Sequence, residues 1–242
     1  MLINNYSQVT NHKSQIPSPK SQITNPKSQI INHKSQVIIY YLRAPKKTIA
    51  MTKKILYIHG FNSAGGGHKA QELQKMFPDW QVLAPTFDYK DPAGVQKKLD
   101  SLMRTQRVNA VMGTSLGGFF AIYCAKKHKL PAMIINPTTR PSEILANHLG
   151  KQKNYVTKEE YQFTAADLAK FADFERKVFD KLPCDDTLLH FALSTDDELL
   201  GDHHYLEEKF PKCQDFNYFD QQGHRFAGVK ILKPILERVM EG

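Results

Sequence analysis

Short apolar runs alternate with segments of helical spacing along the chain from residue 53 onward. The apolar runs predict buried strands, and apolar residues that recur every three or four positions predict helices. A parallel pair of strands needs a covering crossover, usually a helix, so the alternation predicts an α/β fold with a mostly parallel open sheet and helices on both faces. The predicted strands are 55–58, 81–83, 108–112, 132–135, 188–193 and 216–219, and the predicted helices are 69–77, 95–103, 116–127, 203–210 and 229–240.

The first fifty residues have a different composition, with seven basic residues and no acidic one. A Lys-Ser-Gln motif followed by Ile or Val recurs every seven residues, starting at Lys13, Lys20, Lys27 and Lys34. A coiled coil needs two apolar positions in each heptad and excludes proline, whereas this segment offers one such position and contains prolines. We therefore expect residues 1–36 to be disordered and 1–50 to be an extension of a single domain at 51–242, with Met51 as a candidate natural start.

The formal charge of +9 lies mostly in that extension. Seven of the 33 Lys+Arg and none of the 24 Asp+Glu precede residue 51, so the predicted domain carries only +2. This near balance removes the main reason to expect nucleic-acid binding. No apolar run reaches the ~18 residues of a membrane span. The three cysteines are odd in number and never in C-x-x-C spacing, which argues against a disulfide framework and a zinc site. Because no secretory signal pattern is present, we expect a cytoplasmic protein.

The sequence Gly113-Thr114-Ser115-Leu116-Gly117 fits the pattern G-x-S-x-G between a predicted strand and a predicted helix. Small residues on both sides of the serine allow a sharp turn, which lifts the hydroxyl clear of the sheet and points the helix N-terminus at it. Ser115 is therefore the predicted nucleophile.

A serine hydroxyl attacks efficiently only when a base removes its proton and a third group orients that base. After a G-x-S-x-G turn the expected chain order is serine, acid, histidine. His224 follows the last predicted strand through a flexible loop at the ligand edge of the sheet, and it is the best candidate base. The remaining downstream histidines are predicted to lie in a helix, in the variable middle, in a strand or on a solvated helix start; they are His128, His148, His190, His203 and His204.

The acid should follow the predicted strand 188–193, where Asp196, Asp197 and Glu198 are adjacent. Each of the three lies within a residue or two of the required loop position, so spacing alone does not choose among them. At least one is expected to be a solvated acid that caps the next helix.

The predicted strand 55–58 ends in His59-Gly60-Phe61-Asn62-Ser63. Acyl transfer places negative charge on the carbonyl oxygen, which needs two preset N–H donors, one after the nucleophile and one from this first loop. These donors are predicted to be the backbone amides of Leu116 and Phe61. A phosphate cradle at 60–67 is excluded, because glycines stand where a Walker motif needs Lys-Ser/Thr. We expect no cofactor and no metal.

Together these motifs resemble the YqiA/YcfP-like esterases of the α/β-hydrolase superfamily. The resemblance covers residues 53–242 and rests on 57–63, 113–118, Asn136-Pro137, Arg140-Pro141, Asp197-Glu198, Gly223-His224 and Phe226. It implies the α/β-hydrolase fold, hydrolysis of short acyl esters or thioesters, and Asp197 as the acid.

Two positions depart from the family pattern. Asp196 stands where the family usually has glycine, which leaves the choice between Asp196 and Asp197 open. Arg225 stands where a small residue is usual, and we expect its cation to lower the pKa of His224 and the activity.

Residues 137–186 are expected to form a small helical cover that shapes an acyl pocket. Arg140 is a candidate for binding an anionic substrate group, with a structural salt bridge as its alternative. The combined hypothesis is a serine hydrolase for small soluble acyl esters or thioesters that uses Ser115, His224 and Asp197. Its alternative is a binding protein of the same fold with a decayed site. The acyl chain length, the physiological substrate and the oligomeric state stay open.

Overall fold

The computed structural model describes residues 52–241. The expectations for 1–50, including disorder over 1–36, and for Met51 as a start lie outside the described residues. In chain order the strands are β1 (Lys54–Ile58), β2 (Gln81–Leu83), β3 (Ala110–Thr114), β4 (Ala132–Ile135), β5 (Gly150–Lys153), β6 (Glu160–Phe163), β7 (Leu189–Ser194) and β8 (Asp215–Phe219).

Helices follow or precede most of these strands. They are α1 (His68–Met76), α2 (Pro92–Gln106), α3 (Leu116–His128), α4 (Pro141–Ile144), α5 (Ala165–Arg176), α6 (Tyr205–Lys209) and α7 (Lys233–Glu241). Short 3₁₀ turns span Leu145–His148, Asp186–Leu188 and Val229–Leu232, and one π-helical turn spans Lys177–Lys181. No helix within residues 52–241 combines the length and the apolar character needed to cross a lipid bilayer.

Six strands form one parallel sheet in the order β2-β1-β3-β4-β7-β8. Alternate residues of each strand enter two separate apolar clusters, because successive side chains point to opposite faces. In β1, Leu56 and Ile58 pack with α2, α3 and α5, whereas Ile55 and Tyr57 pack with α1 and α7. The sheet is therefore covered by helices on both faces, as the sequence predicts.

All six predicted strands of this sheet are confirmed, with β3 lying two residues later than predicted. The predicted helix at 203–210 shortens to α6, and the one at 229–240 begins as a 3₁₀ turn before α7. The range 137–186, expected to be a helical cover, also contains an antiparallel hairpin of β5 and β6. This hairpin was not predicted, because its first strand, Gly-Lys-Gln-Lys, carries no apolar residue.

Candidate active site

The predicted site residues follow three strands of the parallel sheet at its carboxyl edge. Ser115 follows β3, Asp197 lies three residues beyond β7, and His224 lies in the loop after β8. Strands β3, β4, β7 and β8 are consecutive neighbours, so parallel pairing brings the loops after them to one place. Ligands bind at this edge of open α/β sheets.

The turn between β3 and α3 is sharp and strained. Ser115 has φ 56° and ψ −121°, a backbone conformation that L-residues adopt only at a cost. A Cβ on Gly113 would lie 2.2 Å from the carbonyl oxygen of Gly117, and a Cβ on Gly117 would lie 2.1 Å from that of Ile58. Both positions therefore exclude a side chain, and the close contact between the turn and β1 depends on glycine.

Ser115, His224 and Asp197 form a continuous hydrogen-bonded chain. Nε2 of His224 lies 2.9 Å from Oγ of Ser115, and Nδ1 of His224 lies 3.0 Å from both carboxylate oxygens of Asp197. In the tautomer that carries its proton on Nδ1, the ring donates to Asp197 and accepts from the Ser115 hydroxyl. This arrangement can carry a proton from the serine to the imidazole.

The Asp197 carboxylate is fully buried and has several donors. Besides His224, it accepts from Nε2 of His203 at 2.9 Å and from the backbone amides of Leu199 and Leu200 at 3.0 and 2.8 Å. Burial acts to raise the pKa of Asp197, but the hydrogen bonds from His203, His224 and Leu200 together outweigh it and hold that pKa below its ordinary value. Asp197 is therefore an anion at neutral pH.

His203 differs from its sequence prediction. It was expected on a solvated helix start, but its side chain is fully buried against Asp197. Within the described residues its Nδ1 has no hydrogen-bond partner. The ring proton therefore lies on Nε2, which donates a hydrogen bond to the carboxylate. The prediction was wrong because the pattern of a helix start does not show that His203, which precedes the helix, turns inward to Asp197. The neighbouring His204 is exposed, as predicted.

The two other acids of this loop contact the backbone that leads to His224, and neither contacts its ring. Asp196 accepts from the Ser194 hydroxyl and from the backbone amides of Gln222 and Gly223, both at 3.1 Å. Glu198 accepts from the backbone amide of His224 at 2.7 Å. Of the three adjacent acids, Asp197 is thus the one whose carboxylate meets the imidazole.

Asn136, which follows β4, is a completely buried residue for which no role was predicted. Its side-chain amide donates to the carbonyl oxygens of Gly223 and His224, each at 3.0 Å, and its Oδ1 accepts from the backbone amide of Ser194 at 2.8 Å. It therefore joins the end of β7 to the loop that carries His224. The sequence feature that could have indicated this role is the position of Asn136 directly after a predicted strand, at the ligand edge of the sheet.

The loop after β1 passes beside the nucleophile. A Cβ on Gly60 would lie 3.3 Å from Cβ of Ser115. Among the described residues, the amides of Phe61 and Leu116 donate to no protein acceptor, which leaves both N–H groups available to a ligand oxygen. Gly60 thus brings the first predicted donor, Phe61, close to Ser115.

His59 holds this loop from inside the protein. Burial lowers its pKa to about 4, so the imidazole is neutral at pH 7. Nε2 accepts from the Phe87 amide at 2.9 Å, so the proton lies on Nδ1, which donates to the Gly60 carbonyl at 2.8 Å. The hydroxyl of Tyr89 donates to the His59 carbonyl.

A cavity of about 280 Å³ opens onto Ser115 and His224. Apolar or aromatic surface comes from Phe61, Leu199 and Tyr155, and polar groups come from the loop after β1. Two cationic side chains, Lys69 and Arg225, also line it. Within the described residues, no group of three histidine, cysteine or carboxylate side chains is placed to hold a metal ion.

The structure does not bring Arg140 to this cavity. Its guanidinium is exposed and pairs with Glu143 at 2.8 Å at the start of α4. Of the aromatic residues in the expected cover, Tyr155 lines the cavity, whereas Phe171 and Phe174 are buried in the core. Arg225 follows His224 directly, and its guanidinium lies 5.3 Å from the centre of the Tyr155 ring.

The family model described as "Uncharacterised protein family (UPF0227)" matches residues 54–238. The chain belongs to the UPF0227 family. It is 26% identical over 196 residues to the UPF0227 protein YE1706 of Yersinia enterocolitica, and 25% identical over 197 residues to the UPF0227 protein YcfP of Escherichia coli. Each match spans 76% of this chain and 96% of the relative, and it confirms the resemblance inferred from the motifs.

Solved structures share the fold of this UPF0227 chain. Est1E from Butyrivibrio proteoclasticus matches with a TM-score of 0.56 and 13% identity, over 81% of this chain and 89% of that one. An esterase domain from Rhodothermus marinus matches with a TM-score of 0.54 and 15% identity, over 78% of this chain and 88% of that one. MGS-MChE2, an alpha/beta hydrolase from a lagoon-sediment metagenome of Mar Chica, Morocco, matches with a TM-score of 0.53 and 16% identity, over 78% of this chain and 91% of that one. The fold is therefore that of the α/β hydrolases, as expected.

Proposed function

We propose that this protein is a serine carboxylesterase or thioesterase that cleaves small acyl esters through an acyl-enzyme intermediate. The observation that carries the proposal is the continuous chain from Ser115 Oγ through the His224 ring to the Asp197 carboxylate, at 2.9 and 3.0 Å. Its position on a strained strand-to-helix turn at the ligand edge adds support. The shared fold with an esterase domain from Rhodothermus marinus agrees with a hydrolase.

In acylation, the Ser115 oxygen attacks the carbonyl carbon of the ester while Nε2 of His224 takes the hydroxyl proton. The carbonyl oxygen becomes an anion, which we expect the backbone amides of Phe61 and Leu116 to bind. When the tetrahedral intermediate collapses, the bond to the alcohol or thiol breaks, and His224 gives its proton to that leaving group. The acyl group remains on Ser115 as an ester.

In deacylation, water repeats the sequence. His224 takes a proton from the water, whose oxygen attacks the acyl carbon, and the acid product leaves as Ser115 recovers its proton. The ionised Asp197 stabilises the imidazolium that forms in both steps and keeps the ring oriented. It stays ionised throughout, because its hydrogen bonds hold its pKa low.

The substrate is expected to be small. The cavity of about 280 Å³ lies just below the ~300–1,000 Å³ usual for ligand sites. Phe61 offers an apolar surface, and its ring packs on Phe163 and His148 at 5.2 and 5.3 Å between centres, so this wall is braced by its neighbours. A short acyl chain fits this space better than a long one.

Hydrolysis of p-nitrophenyl esters from acetate to palmitate tests the proposal, with the full chain compared with its Ser115→Ala variant. We expect serine-dependent turnover that is greatest for short chains, and labelling of Ser115 by a fluorophosphonate probe in the wild type alone. Equal turnover by the Ser115→Ala variant would overturn the mechanism. A folded wild type with neither turnover nor labelling would favour the alternative of a binding protein on this fold.

A further inference from the structure

The cavity that contains Ser115 has two cationic side chains, Lys69 and Arg225, and none of the residues that line it is an acid. This imbalance is local, because the described chain elsewhere pairs many of its cations with carboxylates. Lys75, on the same helix as Lys69, pairs with Glu72 at 2.9 Å, and Lys230 pairs with the same carboxylate at 3.5 Å. Within residues 52–241, neither Lys69 nor Arg225 forms a salt bridge.

The two carboxylates that accept hydrogen bonds from His224 are already occupied. Asp197 accepts from His203 and His224, and Glu198 accepts from the backbone amide of His224. Neither lines the cavity, so neither is placed to neutralise Lys69 or Arg225. The positive charge thus faces the space where the proposed ester would sit.

Lys69 is fixed in position by a backbone contact. It lies in the first turn of α1, and its ammonium donates to the carbonyl oxygen of Arg225. Burial, and then repulsion from Arg225, lower the pKa of Lys69 from its ordinary value. A bound anion would relieve this repulsion. The first turn of a helix also presents unpaired N–H groups, which adds to a positive potential.

Arg225 is held at the rim by an aromatic ring. Its guanidinium lies 5.3 Å from the centre of the Tyr155 ring, at a distance typical of a cation–π contact. The backbone amide of Tyr155 donates to the Asn62 carbonyl at 2.8 Å, which ties this ring to the loop beside Ser115. The cation is thereby kept next to the proposed reaction centre.

We propose that Lys69 and Arg225 bind an anionic group of the substrate, so that the ester cleaved is a short acyl ester or thioester with a carboxylate or phosphate close to its scissile carbonyl. This inference rests on the proposed hydrolase function and names its substrate class. The guanidinium offers paired donors that match a carboxylate or a phosphate, and the ammonium adds a point charge. Neutral esters of the same size lack both interactions.

A matched pair of substrates tests the charge preference. Mono-p-nitrophenyl glutarate carries a free carboxylate, and p-nitrophenyl methyl glutarate is its neutral counterpart. The ratio of their kcat/KM values is measured for the wild type, Arg225→Gln, Lys69→Gln, the double variant and Lys75→Gln, which removes a charge from the same helix outside the cavity. We expect the wild type to favour the anionic ester at least about tenfold, and each cavity variant to lose about tenfold of that ratio. Lys75→Gln should keep it.

Inhibition by glutarate and by inorganic phosphate distinguishes the two anions, since the stronger inhibitor identifies the group that the cations fit. A ratio that is equal in the wild type and in both cavity variants would overturn the inference. If Arg225 acted only by disfavouring the protonated form of His224, Arg225→Gln would accelerate cleavage of both esters equally. The ratio of kcat/KM values would then be unchanged, and the inference would be overturned. Arg225 is exposed, so its variant tests the inference even if Lys69→Gln fails to fold.

Failure of the inference is distinct from failure of the hydrolase function. Serine-dependent cleavage of the neutral ester without charge preference would leave the hydrolase standing and reject the anion site. If Ser115 is neither labelled nor active, calorimetric titration of glutarate and phosphate still tests the site. Binding that is lost in the double variant would support it, and absence of binding to the wild type would reject it.

Discussion

Replacing Asn136 with alanine should reduce both stability and activity, because this side chain joins two of the loops that build the site. The change removes three hydrogen bonds, to Gly223, His224 and Ser194. At about 1 kcal/mol net for each bond, the loss is about 3 kcal/mol. Asn136 also has φ 39°, a left-handed conformation that costs alanine about 1 kcal/mol more than asparagine. We expect the free energy of unfolding to fall by about 4 kcal/mol.

The loss is measured by urea denaturation, and the activity by kcat on p-nitrophenyl butyrate. Since the loop that carries His224 would be released, we expect kcat to fall at least about tenfold in protein that is still folded. The matched control is Asn217→Ala, whose side chain donates to the Phe191 carbonyl and to Asp215 away from the cavity. It should lose stability and keep kcat. A stability loss below about 1 kcal/mol with unchanged kcat in Asn136→Ala would refute this reasoning.

Three further predictions follow from the same geometry. Asp197→Asn should keep the fold and lower kcat on p-nitrophenyl butyrate by about 10³–10⁴-fold, since the ring loses its anionic partner; a loss under tenfold would contradict this. Because the folded-state pKa of Asp197 is lowered, its contribution to stability is present above about pH 4 and is lost as the pH falls further. Urea unfolding at pH 7 and pH 3 should therefore show a larger acid-induced loss of unfolding free energy in the wild type than in Asp197→Asn. Gly113→Ala places a Cβ 2.2 Å from the Gly117 carbonyl oxygen and should lower the free energy of unfolding by about 3 kcal/mol in thermal denaturation; a loss under about 1 kcal/mol would show that the turn can relax.

The parallel sheet could be predicted because its inner strands are buried on both faces. Every residue of β3 and β4 is buried, so these strands are marked by continuous apolar or small residues rather than by alternation. The boundary of β3 was misplaced because Gly113 and Thr114 look like the start of the turn. In the structure they continue the pairing with Ile134 and Ile135 of β4. The end of a strand is decided by its pairing register with the neighbouring strand, and the local sequence does not reveal that register.

Ser115 and His224 could be placed together because the G-x-S-x-G pattern marks the turn after one strand, His224 follows the last strand, and parallel topology brings these strand ends to one edge. The acid could not be chosen in the same way. Asp196, Asp197 and Glu198 all lie in the same short loop, and the direction of each side chain depends on its local contacts. Asp196 turns back to Ser194 and to the loop after β8, whereas Asp197 turns inward to the two histidines.

Asn136 and His203 were given no role because their contacts arise only in the tertiary structure. Asn136 contacts residues 87 and 88 positions away. His203 is only six positions from Asp197, but its burial depends on how the loop between them folds. A single polar residue carries no periodic signal, so its role appears only when the tertiary structure supplies its partners.

The two departures from the family pattern, Asp196 and Arg225, act on the same loop. Asp196 accepts from the amides of Gln222 and Gly223, and together with Asn136 and Glu198 it fixes the backbone that positions His224. The backbone of His224 is therefore positioned by side chains that do not line the cavity. Because that backbone is held independently, the side chain that follows His224 is free to vary without displacing the imidazole. Under the proposed function, a cation at this position would therefore change which esters bind while the geometry between Ser115, His224 and Asp197 stays the same.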